Sequence, residues 1–107
     1  MTAKKQTAGR DRLGDFAPRF AELNDDVLFG EVWSRENELS ARDRSVVTIS
    51  VLVSGGDFEQ LRSHLEKGRE NGIMESEIVE IITHIAFYAG WPKAWSAFTI
   101  AKEIYGR

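Results

Sequence analysis

Two histidines, His64 and His84, are the only side chains of this 107-residue sequence whose ordinary pKa lies near neutrality. Each sits on or beside an apolar helical stripe, Phe58, Leu61 and Leu65 around the first and Ile78, Ile81, Ile82 and Ile85 around the second. A histidine in such a place is either a hydrogen-bonded structural residue or a proton carrier. Glu80 precedes His84 by four positions, where its carboxylate either orients the imidazole or faces solvent. Arg42, Asp43 and Arg44 form a charged cluster. It reads as an ion-pair and capping network or, through the bidentate guanidinium, as a carboxylate-binding site. Trp33, Trp91 and Trp95 are core or interface anchors, or pocket walls. A metal site would require His64, His84 and a carboxylate such as Glu31 or Glu80 to converge. The sequence has neither H-E-x-x-H nor paired E-x-x-H, so no metal is assigned. It has no cysteine, which excludes disulfides, thiolate nucleophiles and iron–sulfur clusters.

The elements that must hold these residues are helices. Asp15 to Leu23 carries Phe16, Phe20 and Leu23 at helical spacing, with Pro18 tolerated in a first turn. A short helix follows over Asp25 to Trp33, with two aspartates at its positive end. Ser40 and Asp43 form a variant capping box that opens a helix ending at Gly55-Gly56. Its many β-branched residues also suit a strand, but length, cap and stop favour the helix. Asp57 caps the next helix, which Asn71-Gly72 ends. The following one starts at Glu75 after an unconventional Met74, helped by Glu75 and Glu77 through the helix dipole, and stops at Gly90. Pro92 opens the last, which runs to about Tyr105. The result is an all-α domain of five or six helices over 13–107, preceded by a solvated tail over 1–12.

The helix from Glu75 to Gly90 is apolar nearly all round, since Val79, Ala86 and Phe87 spread hydrophobicity beyond the isoleucine stripe. A chain this short has little interior to hide it, which predicts burial against another subunit. The net charge of −3 contains no long block of either sign, which argues against nucleic acid as a partner. Lys4, Lys5, Arg10 and Arg12 cluster in the tail without apolar residues to dock it. With no membrane-spanning stretch and no signal-peptide core, a cytoplasmic protein is expected.

Four ordered stretches, F-G-E-V-W-S-R at 29–35, L-S-A-R-D-R-S at 39–45, L-R-S-H-L-E-K-G-R-E-N-G at 61–72 and H-I-A-F-Y-A-G-W-P-K-A at 84–94, resemble the carboxymuconolactone decarboxylase family. The resemblance covers about Phe16 to Tyr105. It implies an alkylhydroperoxidase D-like helical subunit assembled in a ring, commonly a hexamer built as a trimer of dimers. The thiol-dependent branch of the family uses C-x-x-C followed, after three intervening residues, by His. Aligned on His64, the cysteine positions fall on Asp57 and Gln60, so thiol peroxidase chemistry is not expected. The decarboxylase branch implies a small acidic substrate and no cofactor. In that reading His84 and His64 deliver a proton and stabilise an enolate, and Arg44 or Arg42 holds carboxylates. Glu31 orients a histidine or the substrate, and Trp33 and Trp91 wall the site. The alternatives are a non-catalytic ring-forming protein that binds a small acidic metabolite, and a divergent oxidoreductase or hydroperoxidase without thiol chemistry.

Overall fold

In the computed structural model, which describes residues 5–106, every regular element is helical. The chain divides into two compact units, the first ending at Ala41 and the second beginning at Arg42. Among the described residues no helix is long and apolar enough to cross a membrane.

The first unit holds α1 (Ala8–Leu13), α2 (Pro18–Glu22) and a π-helix (Leu23–Val32) that continues α2 directly. The 1–12 stretch, expected as tail, is thus helical from Ala8 onward; Met1 to Lys4 lie outside the described residues. The reason is Asp25, which is only 3% exposed. Its carboxylate accepts the Gly9 and Arg10 amides at 2.8 and 3.0 Å and the Asn24 amide at 3.0 Å. It therefore satisfies the first-turn donors of α1 from outside the helix, in place of a local cap. Burial alone would raise this carboxyl, but the bonds from Asn24, Arg10 and Gly9 outweigh it and hold it below its ordinary value. Asp25 was expected to favour the start of its own helix; it caps another one instead. The two separate helices expected over 15–23 and 25–33 are one run with a change of winding. The Trp33 amide bonds to the Leu28 carbonyl, five residues back, at 3.0 Å.

The second unit contains α3 (Ala41–Gly55), α4 (Phe58–Glu70), α5 (Glu75–Ala89) and α6 (Trp91–Ile104). Its core is formed by Ile49 and Val53 of α3, Leu61 and Leu65 of α4, Ile73 of the linker, Ile78, Ile82 and Ile85 of α5, and small alanines of α6. The β-branched run of α3 is helical, because its inward positions recur at four residues, Ser45, Ile49 and Val53. Ala94, Ala97 and Ala101 let α6 lie close to its neighbours. Asp57 does stand at the N-cap of α4, but its side chain makes no capping bond. At α5, the Glu77 carboxylate accepts the Met74 amide at 2.9 Å, half of a capping box without the usual hydroxyl. Gly90, at φ 114°, links α5 to α6 in a conformation only glycine adopts freely.

Candidate active site

Arg44 lies on α3 and His64 on α4, two helices that touch near Gly68. The two helices are joined by Gly56 and Asp57, and the start of α3 meets the end of α4. A Cβ placed on Gly68 would stand 3.6 Å from Ser45 Cβ and 3.1 Å from Ile49 Cδ1, and Asn71 Nδ2 donates to Ser45 Oγ at 3.0 Å. Ser45 and Gly68 therefore mark a point of close approach, which the missing side chain of Gly68 permits.

On two antiparallel helices, the residue before each contact residue is turned by about 100° to the same side of the seam. Arg44 precedes Ser45, and Lys67 precedes Gly68. His64, four residues before Gly68, is turned about 40° toward that same flank. Thr48 lies on the corresponding edge of α3, its hydroxyl donating to the Arg44 carbonyl at 2.8 Å. Arg44, His64 and Lys67 are all half-buried. Arg44 Nε and His64 Nδ1 are both shielded from solvent.

Electrostatics follow from this placement. Burial, and secondarily the charge of Lys67, hold the His64 imidazole below its ordinary value, so it is largely neutral at pH 7. Burial likewise lowers the Lys67 amine, an effect partly offset by Glu70 one turn on. The flank thus offers a guanidinium fork, a half-buried ammonium and a neutral imidazole, a set suited to a small anion and to the movement of a proton. Lys67 was not singled out from the sequence. The signal was its place three residues after His64, and it acquires meaning only when Gly68 is known to touch α3.

The other expected site residues each have surroundings of their own. Arg42 is engaged in an ion pair with Glu77 of α5 and a second with Asp43 at 3.3 Å. It ties α3 to the start of α5, so the capping-network reading of the 42–44 cluster describes Arg42. His84 is exposed on α5, its ring tilted against Tyr88 with centroids 5.1 Å apart. Trp91 meets Phe87 edge to face at 6.0 Å, so His84 and Trp91 belong to one aromatic corner at the turn from α5 to α6. Trp95 is 70% exposed and so is no core anchor of the subunit. Glu31 and Trp33 belong to the first unit, where Glu31 is exposed and Trp33 stacks on Phe29 at 5.9 Å. Among the described residues no group of three or more His, Asp or Glu side chains is placed to hold a metal ion.

An open cleft of about 280 Å³ lies between α5 and α6, walled by Ile78, Val79, Phe98, Ala101 and Tyr105. It contains none of the expected site residues. Its one phenol is already committed, donating to the Ile73 carbonyl at 2.7 Å.

Comparison with known proteins agrees with the motifs. The family model described as carboxymuconolactone decarboxylase matches residues 18–103, a span that includes every expected site residue. The chain is 38% identical over 95 residues to a 4-carboxymuconolactone decarboxylase of Acinetobacter baylyi, covering 89% of this chain and 70% of that protein. It is 29% identical over 82 residues to the nitrosuccinic acid decarboxylase npaB of Metarhizium robertsii, covering 77% of this chain and 57% of the relative. The chain belongs to the carboxymuconolactone decarboxylase family.

Proposed function

We propose that the protein decarboxylates 4-carboxymuconolactone or a related small lactone acid without a cofactor. The observation that carries this reading is the 38% identity to a 4-carboxymuconolactone decarboxylase across 89% of the chain. The cationic flank of the α3–α4 seam supports it. Both relatives are named as decarboxylases of small acids, which favours this class over the oxidoreductase alternative.

The chemistry asks little beyond what the side chains offer. In 4-carboxymuconolactone the departing carboxylate is attached to a carbon conjugated, through the ring double bond, with the lactone carbonyl. When the carbon–carbon bond breaks, CO2 leaves and the electron pair passes into the ring, so the charge collects on the carbonyl oxygen. The substrate is its own electron sink. The protein must hold the retained carboxylate, keep water from the departing one, meet the charge on oxygen and return a proton to carbon. Arg44 suits the retained carboxylate, since its fork makes two parallel bonds. His64, neutral, donates a hydrogen bond toward the enolate oxygen. His84 is the second proton-handling group, with Trp91 supplying wall.

The exposure of His84 is consistent with closure by another copy. Phe87, Tyr88, Trp91 and Trp95 are 75%, 83%, 59% and 70% exposed. At 150–250 Å² per aromatic side chain, they leave on the order of 600 Å² in water. That is a large patch for a lone subunit and close to one partner's share of a stable interface. The reading includes a homo-oligomer, as a hexameric ring, and a cytoplasmic location.

Proton NMR of the purified protein with 4-carboxymuconolactone tests the proposal. Enol-lactone and CO2 are expected, with His64→Ala and His84→Ala each slowing turnover by about a hundredfold or more. If both variants stay folded and keep wild-type turnover, the histidine assignments are wrong. A rise in melting temperature with the lactone acid and no product would favour the binding-protein alternative.

A further inference from the structure

We infer that this protein decarboxylates a class wider than one lactone, namely succinates whose C2 carries both the departing carboxylate and a group that takes the released electron pair onto oxygen. 2-Acylsuccinates are members of that class that neither relative's name includes. The inference rests on the reaction proposed above and deepens it, by separating the part of the substrate that is read from the part that is interchangeable.

The two acids after which the relatives are named share one skeleton. In 4-carboxymuconolactone a single ring carbon bears the departing carboxylate, a carboxymethyl arm and the double bond that leads to the lactone carbonyl. In nitrosuccinic acid a single carbon bears a carboxylate, a carboxymethyl arm and a nitro group. Each is a butanedioate substituted at C2, and the substituents have only a function in common. When the C2 carboxylate leaves as CO2, the lactone takes the charge on its carbonyl oxygen, and the nitro group takes it on oxygen as a nitronate. The element common to both acids is therefore a pair of carboxylates on adjacent carbons, with an oxygen sink beside one of them.

The groups assigned to the reaction have that selectivity. The Arg44 guanidinium, half-buried on α3, matches the two oxygens of a carboxylate and takes no account of what the next carbon bears. The His64 imidazole, half-buried on α4, donates to whichever oxygen collects the charge. Counted from C2, that oxygen is three bonds away in the lactone, through the ring oxygen, and two bonds away in a nitronate or an enolate. The reach asked of the donor is similar, and neither group recognises the ring itself.

The step on 2-acetylsuccinate balances without a further reactant. The bond between C2 and its carboxylate carbon breaks, CO2 leaves, and the pair forms the double bond of an enolate whose charge rests on the acetyl oxygen. A proton taken ultimately from water returns to C2 and gives 4-oxopentanoate. In the lactone the proton returns instead to the carbon beside the lactone carbonyl, two atoms from C2. Bond cleavage is thus common to the two substrates, and the place of proton return is not, so exchanging the sink should change kcat more than KM.

The test follows 2-acetylsuccinate, 2-acetylglutarate and 4-carboxymuconolactone by proton NMR with the wild-type protein, after subtraction of the spontaneous decarboxylation measured without it. 2-Acetylsuccinate is expected to give 4-oxopentanoate and CO2 above that background, and to inhibit turnover of the lactone competitively. 2-Acetylglutarate has the same sink and an arm longer by one carbon, which moves the departing carboxylate away from its place. Its kcat/KM should be lower by about a hundredfold. Turnover of the lactone without turnover of 2-acetylsuccinate overturns the inference and leaves the proposed function standing. Turnover of 2-acetylsuccinate without turnover of the lactone upholds the class and removes the lactone from it. Equal kcat/KM on the two acetyl acids, or turnover of 2-acetylsuccinate without competition, overturns the reading of the skeleton. Activity on none of the three overturns the inference and the proposed function together.

Discussion

Two ionisable groups, the half-buried His64 and the buried Asp25, have opposite histories on folding. His64 enters the protein at the expense of its hydration, so its folded pKa lies below the value of about 6.5 that it has in the unfolded chain. Between the two values the unfolded chain binds more protons, so stability rises with pH through that window and is lost as pH falls below about 6.5. The urea midpoint is expected to drop between pH 7 and pH 5, and the drop should shrink in His64→Gln. An unchanged drop in that variant would separate the loss from His64. Asp25 acts at lower pH. Its carboxyl is held below its ordinary value by the bonds it receives, so its contribution is complete above the usual carboxylate range and fades as acid protonates it. Asp25→Ala should free the first-turn amides of α1, and hydrogen exchange of the Gly9 and Arg10 amides should then accelerate at neutral pH.

Among the elements, the α3–α4 seam is the one on which the site depends. Gly68 is the tight point, since any side chain there meets Ile49 Cδ1 and Ile73 Cδ1 at 3.1 Å. Alanine at this position sets a helix gain against a small clash, whereas leucine forces the seam apart. Gly68→Leu is expected to destabilise the second unit by about 1–3 kcal/mol and to reduce turnover by displacing the helices that carry Arg44 and His64. Denaturant unfolding measures the first effect and steady-state kinetics the second. A variant of wild-type stability would contradict the contact. Ile82, fully buried in the centre of α5, provides the comparison: Ile82→Ala should cost about 2–5 kcal/mol without a specific effect on the seam. The turn from α5 to α6 has its own constraint, because Gly90→Ala places a Cβ at φ 114°.

At the scale of the molecule, the aromatic corner around Gly90 is the surface on which the proposed oligomer is tested. Its rings are exposed while the neighbouring isoleucines of α5 are buried, so the corner is a surface feature rather than a failed core. Phe16, at 90% exposure, and Phe20 show the same excess of apolar surface in the first unit. Light scattering of the wild-type protein at micromolar concentration is expected to report an oligomer, and Trp95→Glu should shift it toward smaller species. A wild-type monomer would remove the closure proposed for His84, while leaving the α3–α4 flank as it is.

The sequence by itself determined the helical architecture, the boundaries of α3 to α6 and the family. These follow from local rules, namely the recurrence of Ile78, Ile82 and Ile85, the stops at Gly55-Gly56, Asn71-Gly72 and Gly90, and four motifs in order. Tertiary structure decided what local rules do not reach. Asp25 looked like a dipole partner for its own helix and proved to cap α1, sixteen residues away from Gly9, because a buried carboxylate takes whatever donors packing brings to it. Arg42 and Arg44 were equivalent as letters, and only the fold showed that Arg42 pairs with Glu77. Lys67 was an ordinary solvated lysine in the sequence. Folding half-buries it and lowers the pKa of its amine, which no spacing along one helix can express.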